Sequence, residues 1–167
     1  EFWLRKPGFN KSNESRKQVI VDVWNSGSWA TSGYGRLRVE ISGTEGNVLN
    51  PDFHVELLSG TAGFSSGHIS ETTPTVVLSG STLTGSTWNH FALTFQNTGS
   101  QMIGRLYTNG SLTYSTTAGT TIGTVTGSML GQIGSLITTV SGAAGVARGD
   151  GKLSASLDEF RFWKTRR

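Results

Sequence analysis

Trp88 and His90 stand two residues apart at the head of a run, Phe91, Ala92, Leu93, Thr94 and Phe95, whose bulky apolar side chains alternate. Positions two apart on a strand share a face, so an indole and an imidazole lie side by side. A histidine working as a general base needs a nucleophile and an orienting acid within hydrogen-bond reach. The sequence nominates neither. The plainer role is structural, with Trp88 packing at the strand entry and His90 bonding a neighbouring loop. Asp158 and Glu159 are adjacent, which on a strand sends their carboxylates to opposite faces and bars them from acting as an acid–base pair. Asp158 is better suited to accepting backbone N–H groups. An enzyme is not expected.

A second group of residues suits recognition. Trp24, Trp29 and Tyr34 bracket a Gly/Ser loop over 25–35. Sugar rings present apolar C–H faces that stack on aromatic side chains, while amides and imidazoles satisfy their hydroxyls. An exposed Trp29 and Tyr34, with Asn25 and either His54 or His68, would make a glycan platform. The competing arrangement buries Trp24 and uses the other two aromatics to pin the loop down.

The elements that position these residues are strands. Leu37, Val39 and Ile41 alternate with Arg36, Arg38 and Glu40, and Phe53, Val55 and Leu57 with His54 and Glu56. This period of two lays one face on a core and turns the charged one outward, to solvent. Val19, Val21 and Val23 interleave with Ile20, Asp22 and Trp24, a pattern apolar enough on both faces for a central strand. Asn109-Gly110 tolerates the positive φ angles of a type I′ turn and predicts a tight hairpin. Further strands are expected at 2–4, 76–78, 129–133 and 136–140, and over 153–162 through Phe160 and Phe162. No stretch holds a 3.6-residue apolar period, so helices are few or absent. The fold class is all-β, a two-sheet antiparallel sandwich or jelly roll.

Composition agrees. The chain has 167 residues, within the range of one domain, with 15% charged residues and 23 glycines. It has no cysteine, which excludes disulfides and Cys-based zinc sites. No apolar run approaches the ~20 residues of a membrane-spanning helix. The net charge of +3 is unevenly spread, with no Lys or Arg from 41 to 104. The basic residues do not form the aromatic-interleaved stripe of a nucleic-acid surface, so nucleic acid is not expected as a partner.

Four groups of residues occur in order along the chain: Trp88, His90 and Ala92; Leu106, Tyr107, Asn109 and Gly110; Gly131 and Gly134; and Asp158, Glu159, Phe160, Arg161, Phe162 and Trp163. In this order and spacing the chain resembles the concanavalin A-like lectin/glucanase superfamily, in its laminin G-like (pentraxin-like) branch. The opening Phe2-Trp3 pair resembles that branch's early strand. The resemblance implies a concanavalin A-like jelly roll over 1–167 with its first and last strands adjacent. It implies that Trp88, His90, Tyr107, Asn109, Gly110, Gly134, Asp158 and Trp163 are structural. The strand that precedes Phe-Trp in the family is not found here, which reads as a piece of a longer polypeptide.

The resemblance further implies a non-catalytic carbohydrate- or protein-binding module of a larger extracellular or virion surface protein. The alternative is a purely structural assembly domain, such as a virion component packed on sister subunits. A glycan hydrolase is a second alternative, and the glucanase Glu-x-Asp-x-x-Glu run is missing. Calcium is common in the family and wants several oxygen ligands. Asp52 and Asp150 are the loop aspartates that could supply carboxylates.

Overall fold

The computed structural model describes residues 1–8, 18–28, 31–42, 48–49, 51–65, 78–138 and 151–165. Thirteen strands occupy this part: β1 (Phe2–Arg5), β2 (Gln18–Trp24), β3 (Gly35–Ser42), β4 (Val48–Leu49), β5 (Asp52–Ser59), β6 (Ala62–Ser65), β7 (Leu78–Ser79), β8 (Leu83–Thr84), β9 (Asn89–Thr98), β10 (Gln101–Thr108), β11 (Ser111–Ala118), β12 (Leu130–Ile133) and β13 (Ser156–Asp158). Among the described residues there is no helix.

Two sheets carry the fold. One has the order β11-β10-β9-β1-β13; the other runs β12-β2-β3-β5-β6, with β7 also pairing β5. Every pairing within them is antiparallel. The apolar alternation supplies the layer between them. Phe2, Leu4, Phe91, Met102 and Leu106 come from the first sheet and meet Val39, Ile41, Phe53, Val55 and Phe64 of the second. Rings of Phe2, Phe53 and Phe91 contact one another at 5.2–6.3 Å between centroids, in the tilted geometries that aromatic pairs prefer. Gly104 lies where a Cβ would come within 3.1 Å of the Phe64 ring. A larger residue would therefore push the facing layers apart.

The chain ends meet as the resemblance implies. Trp3 lies opposite Asp158 across the β1–β13 pair, and Glu1 and Arg161 exchange backbone hydrogen bonds of 2.8 Å. The Asn109-Gly110 hairpin also forms, with φ of 50° and 82°. Asn109 does more than turn: its Oδ1 accepts from the His90 N–H at 2.8 Å and its Nδ2 donates to Asn89 Oδ1 at 3.2 Å. The turn is thereby stitched to β9.

Two expectations are corrected. Residues 136–138 form no strand; instead the Ile137 N–H and the Thr138 hydroxyl bind Asp22 and Arg36. Phe160 and Phe162 are not strand residues either. Phe160 stacks on Phe2 at 6.4 Å, while Phe162 is 64% exposed. β9 and β10 run on to Thr98 and Gln101 around a two-residue turn with Gly99 at φ 55°.

Candidate functional site

The second sheet turns a row of charges away from the apolar layer. In register these are Asp22 on β2, Arg36, Arg38 and Glu40 on β3, and His54 and Glu56 on β5. The sequence pattern places Arg36, Arg38, Glu40, His54 and Glu56 toward solvent. The structure corrects this: all six are buried, with Asp22 at 0% exposure. Burying a charge is costly unless a partner and further hydrogen bonds compensate. Here Arg36 grips Asp22 with two bonds of 2.6 and 2.8 Å. Arg38 bridges Glu40 at 2.6 Å and Glu56 at 2.9 Å. Burial works against the Arg36 charge, but the Asp22 carboxylate outweighs it and holds the guanidinium pKa above its ordinary value.

Tyr34 closes this row. It is 4% exposed and its hydroxyl donates to Glu56 Oε1. Burial first, then the Glu56 charge and the hydrogen bond, push its phenol pKa well above the ordinary value. An exposed Tyr34 stacking face is thus corrected, because its cross-strand neighbourhood supplies a buried acceptor. Asn25 is also committed. Its Oδ1 accepts from the Gly27 and Gly35 N–H groups and its Nδ2 donates to the Gly33 and Thr126 carbonyls, at 2.7–3.0 Å. That uses both donors and both lone pairs of the amide. His54, 5% exposed, shares a 2.8 Å hydrogen bond with the Ser42 hydroxyl. Trp29, His68 and Asp150 lie outside the described residues. Asp52 begins β5 opposite Ser42 and Ser79, half-buried. Among the described residues no three His, Asp or Glu side chains gather as a cation would require.

The outer face of the first sheet is of a different kind. Trp3 pairs with His90 across β1–β9, their rings 5.2 Å apart, and Arg5 extends over the Trp88 ring at 5.3 Å. Trp3 and Trp88 are 37% and 40% exposed. The structure thus sets His90 against Trp3 and Trp88 against Arg5, two partners from the start of the chain. Glu1 lies 3.8 Å from His90 and accepts a 3.3 Å bond from the Trp163 indole. Tyr107 shares this outer face through its pairing with Ala92, and Asp158 caps the neighbouring Glu159 N–H at 2.8 Å. Gly134, at φ 78°, links Ile20 to Leu153 through its backbone.

Beside Arg5 opens a hollow of about 410 Å³, bordered by Pro7, Ser86, Ser154 and Ser156 as well as Arg5 itself. No sequence signal marked it, because its serines come from two separate loops and a strand start.

These features define an antiparallel β-sandwich with a sealed polar row on one sheet and an open aromatic strip on the other. A family model described as the concanavalin A-like lectin/glucanases superfamily, of laminin G type, matches residues 24–167. The chain belongs to that family, whose laminin G-like members are generally non-catalytic binding modules and typically extracellular, although the superfamily includes glycosidases. No curated protein and no solved structure matches the chain. Among the described residues no helix is long and apolar enough to cross a membrane.

Proposed function

We propose that this chain is a non-catalytic binding module of a larger extracellular or virion surface protein, contacting a carbohydrate or protein partner through the outer face of its five-stranded sheet. The observation that carries this reading is the exposed two-row ladder of Trp3 on His90 and Arg5 on Trp88. Water-exposed indoles are a cost to a soluble fold and are enriched where partners dock. The carboxylates on the opposite sheet face support the non-catalytic part. Asp22, Glu40 and Glu56 are each engaged by an arginine and are buried, so no acid–base pair faces a cleft there.

Glycan-array and surface-plasmon measurements on the wild type and a Trp3→Ala/Trp88→Ala variant test this reading. Binding that disappears in the variant, with an unchanged melting temperature, supports it. Binding that persists at full strength removes this face as the site.

A second reading, assembly with neighbouring subunits, has its own observation. Met129, Leu130 and Ile133 are 43%, 54% and 53% exposed on and beside the edge strand β12. Exposed apolar edges invite pairing with another chain. Sedimentation of wild type against Leu130→Lys tests it: a concentration-dependent oligomer that dissolves in the variant favours assembly.

A further inference from the structure

We infer that the hollow beside Arg5 is a subsite for a sugar bearing a carboxylate, a uronic or a sialic acid, held by the Arg5 guanidinium. The inference rests on the reading of this face as a binding surface and gives it a ligand class. Arg5 supplies the charge. Its guanidinium sits over the Trp88 ring, and no ion pair ties it to a carboxylate among the described residues. Stacking engages the flat face of a guanidinium and leaves its N–H rim to donate in a fork that matches a carboxylate. Among the described residues no acidic side chain borders the hollow. Asp158, two residues beyond Ser156, already gives an oxygen to the Glu159 N–H.

Lys6 braces the rim. Lys6 is 3% exposed and donates to the carbonyl of Ser154, a residue of the rim, at 3.1 Å. The remaining rim groups are hydroxyls, from Ser86, Ser154 and Ser156. Each can both donate and accept, which is what sugar hydroxyls require. A volume of about 410 Å³ lies within the range of small-ligand sites.

The hollow is also built rather than incidental. Gly85 packs so tightly on the β1 exit that a Cβ there would lie 2.5 Å from the Lys6 carbonyl oxygen and 2.8 Å from the Pro7 carbonyl carbon. Only glycine permits that approach, and it holds the turn bearing Ser86 against the segment after Arg5. The pieces of the rim are thus preorganised before any ligand arrives.

Calorimetric titration with paired probes tests this: oligogalacturonate against neutral galacto-oligosaccharide, and a sialylated oligosaccharide against its asialo counterpart. The expected result is that one acidic member binds at least about tenfold more tightly than its neutral twin, the worth of one charge-assisted hydrogen-bonded contact. The preference is lost in Arg5→Gln and partly kept in Arg5→Lys, which retains the charge without the fork. Whichever pair responds identifies the source of the carboxylate. Equal affinity for charged and neutral twins, unchanged in Arg5→Gln, overturns the acidic subsite while leaving the binding-module reading standing. Binding of an acidic peptide with no saccharide bound overturns it in favour of a protein partner. Absence of binding to every probe overturns it as well, and the binding-module reading then falls or stands on the Trp3→Ala/Trp88→Ala measurement.

Discussion

Two sheet faces in this molecule carry arginine, aromatic and acidic side chains at the same two-residue spacing, yet they are opposites. On the six-stranded sheet Arg36, Arg38, Asp22, Glu40 and Glu56 are buried and paired with one another. On the five-stranded sheet Arg5, Trp3 and Trp88 face water, and Arg5 lies over an indole. A sealed ion-pair row fixes how β2, β3 and β5 stack in register, and its burial closes it to a ligand. An open row retains its donors. The difference teaches that recognition residues are found by unused hydrogen-bonding capacity at the surface, not by charge or aromaticity alone.

Arg36→Ala is the most severe way to break this contrast. It strands Asp22, 0% exposed, without its bidentate partner. Removing one member of a buried pair costs about 3–5 kcal/mol, so the urea midpoint falls steeply. Replacing both together, Asp22→Leu with Arg36→Met, costs far less because no orphan charge remains. A double-mutant cycle in urea separates the two outcomes.

Tyr34→Phe comes next. Deleting a hydroxyl that serves a buried carboxylate costs about 1.5–3 kcal/mol at neutral pH. The folded phenol pKa is raised above the ordinary 10.0. The stability it contributes is therefore fully present below about pH 10 and is lost as pH rises, when the unfolded chain ionises first. The gap between wild type and Tyr34→Phe in denaturant melts accordingly narrows above pH 10. A gap that stays constant to pH 11 would show that Tyr34 ionises alike in both states.

Arg5→Ala gives the smallest change in stability. An exposed cation over an indole is worth about 0.5–1 kcal/mol, and added salt erases part of even that. Its melting temperature moves little while binding at the hollow is lost. A large drop in melting temperature would instead make Arg5 a structural residue and erase the contrast between the two faces.

The strands, their inward faces and the Asn109-Gly110 turn were legible in the sequence because they depend on local rules: a period of two, and the φ angles that Asn and Gly accept. The order of the family motifs carried the family itself. The fate of the polar faces was not legible. Alternation says that Arg38 and Trp3 point away from the apolar layer, but whether water or another segment meets them depends on chain many residues distant. Tyr34 reaches Glu56 and Thr138 reaches Arg36 across separations of 22 and 102 residues. The hollow likewise joins Arg5 to Ser86 and Ser154, a juxtaposition made when the first strand docks between β9 and β13. Sequence by itself determined which side chains share a face. Only the tertiary structure decided which face is closed and which is left open to a partner, since closure is a long-range event with no local signature.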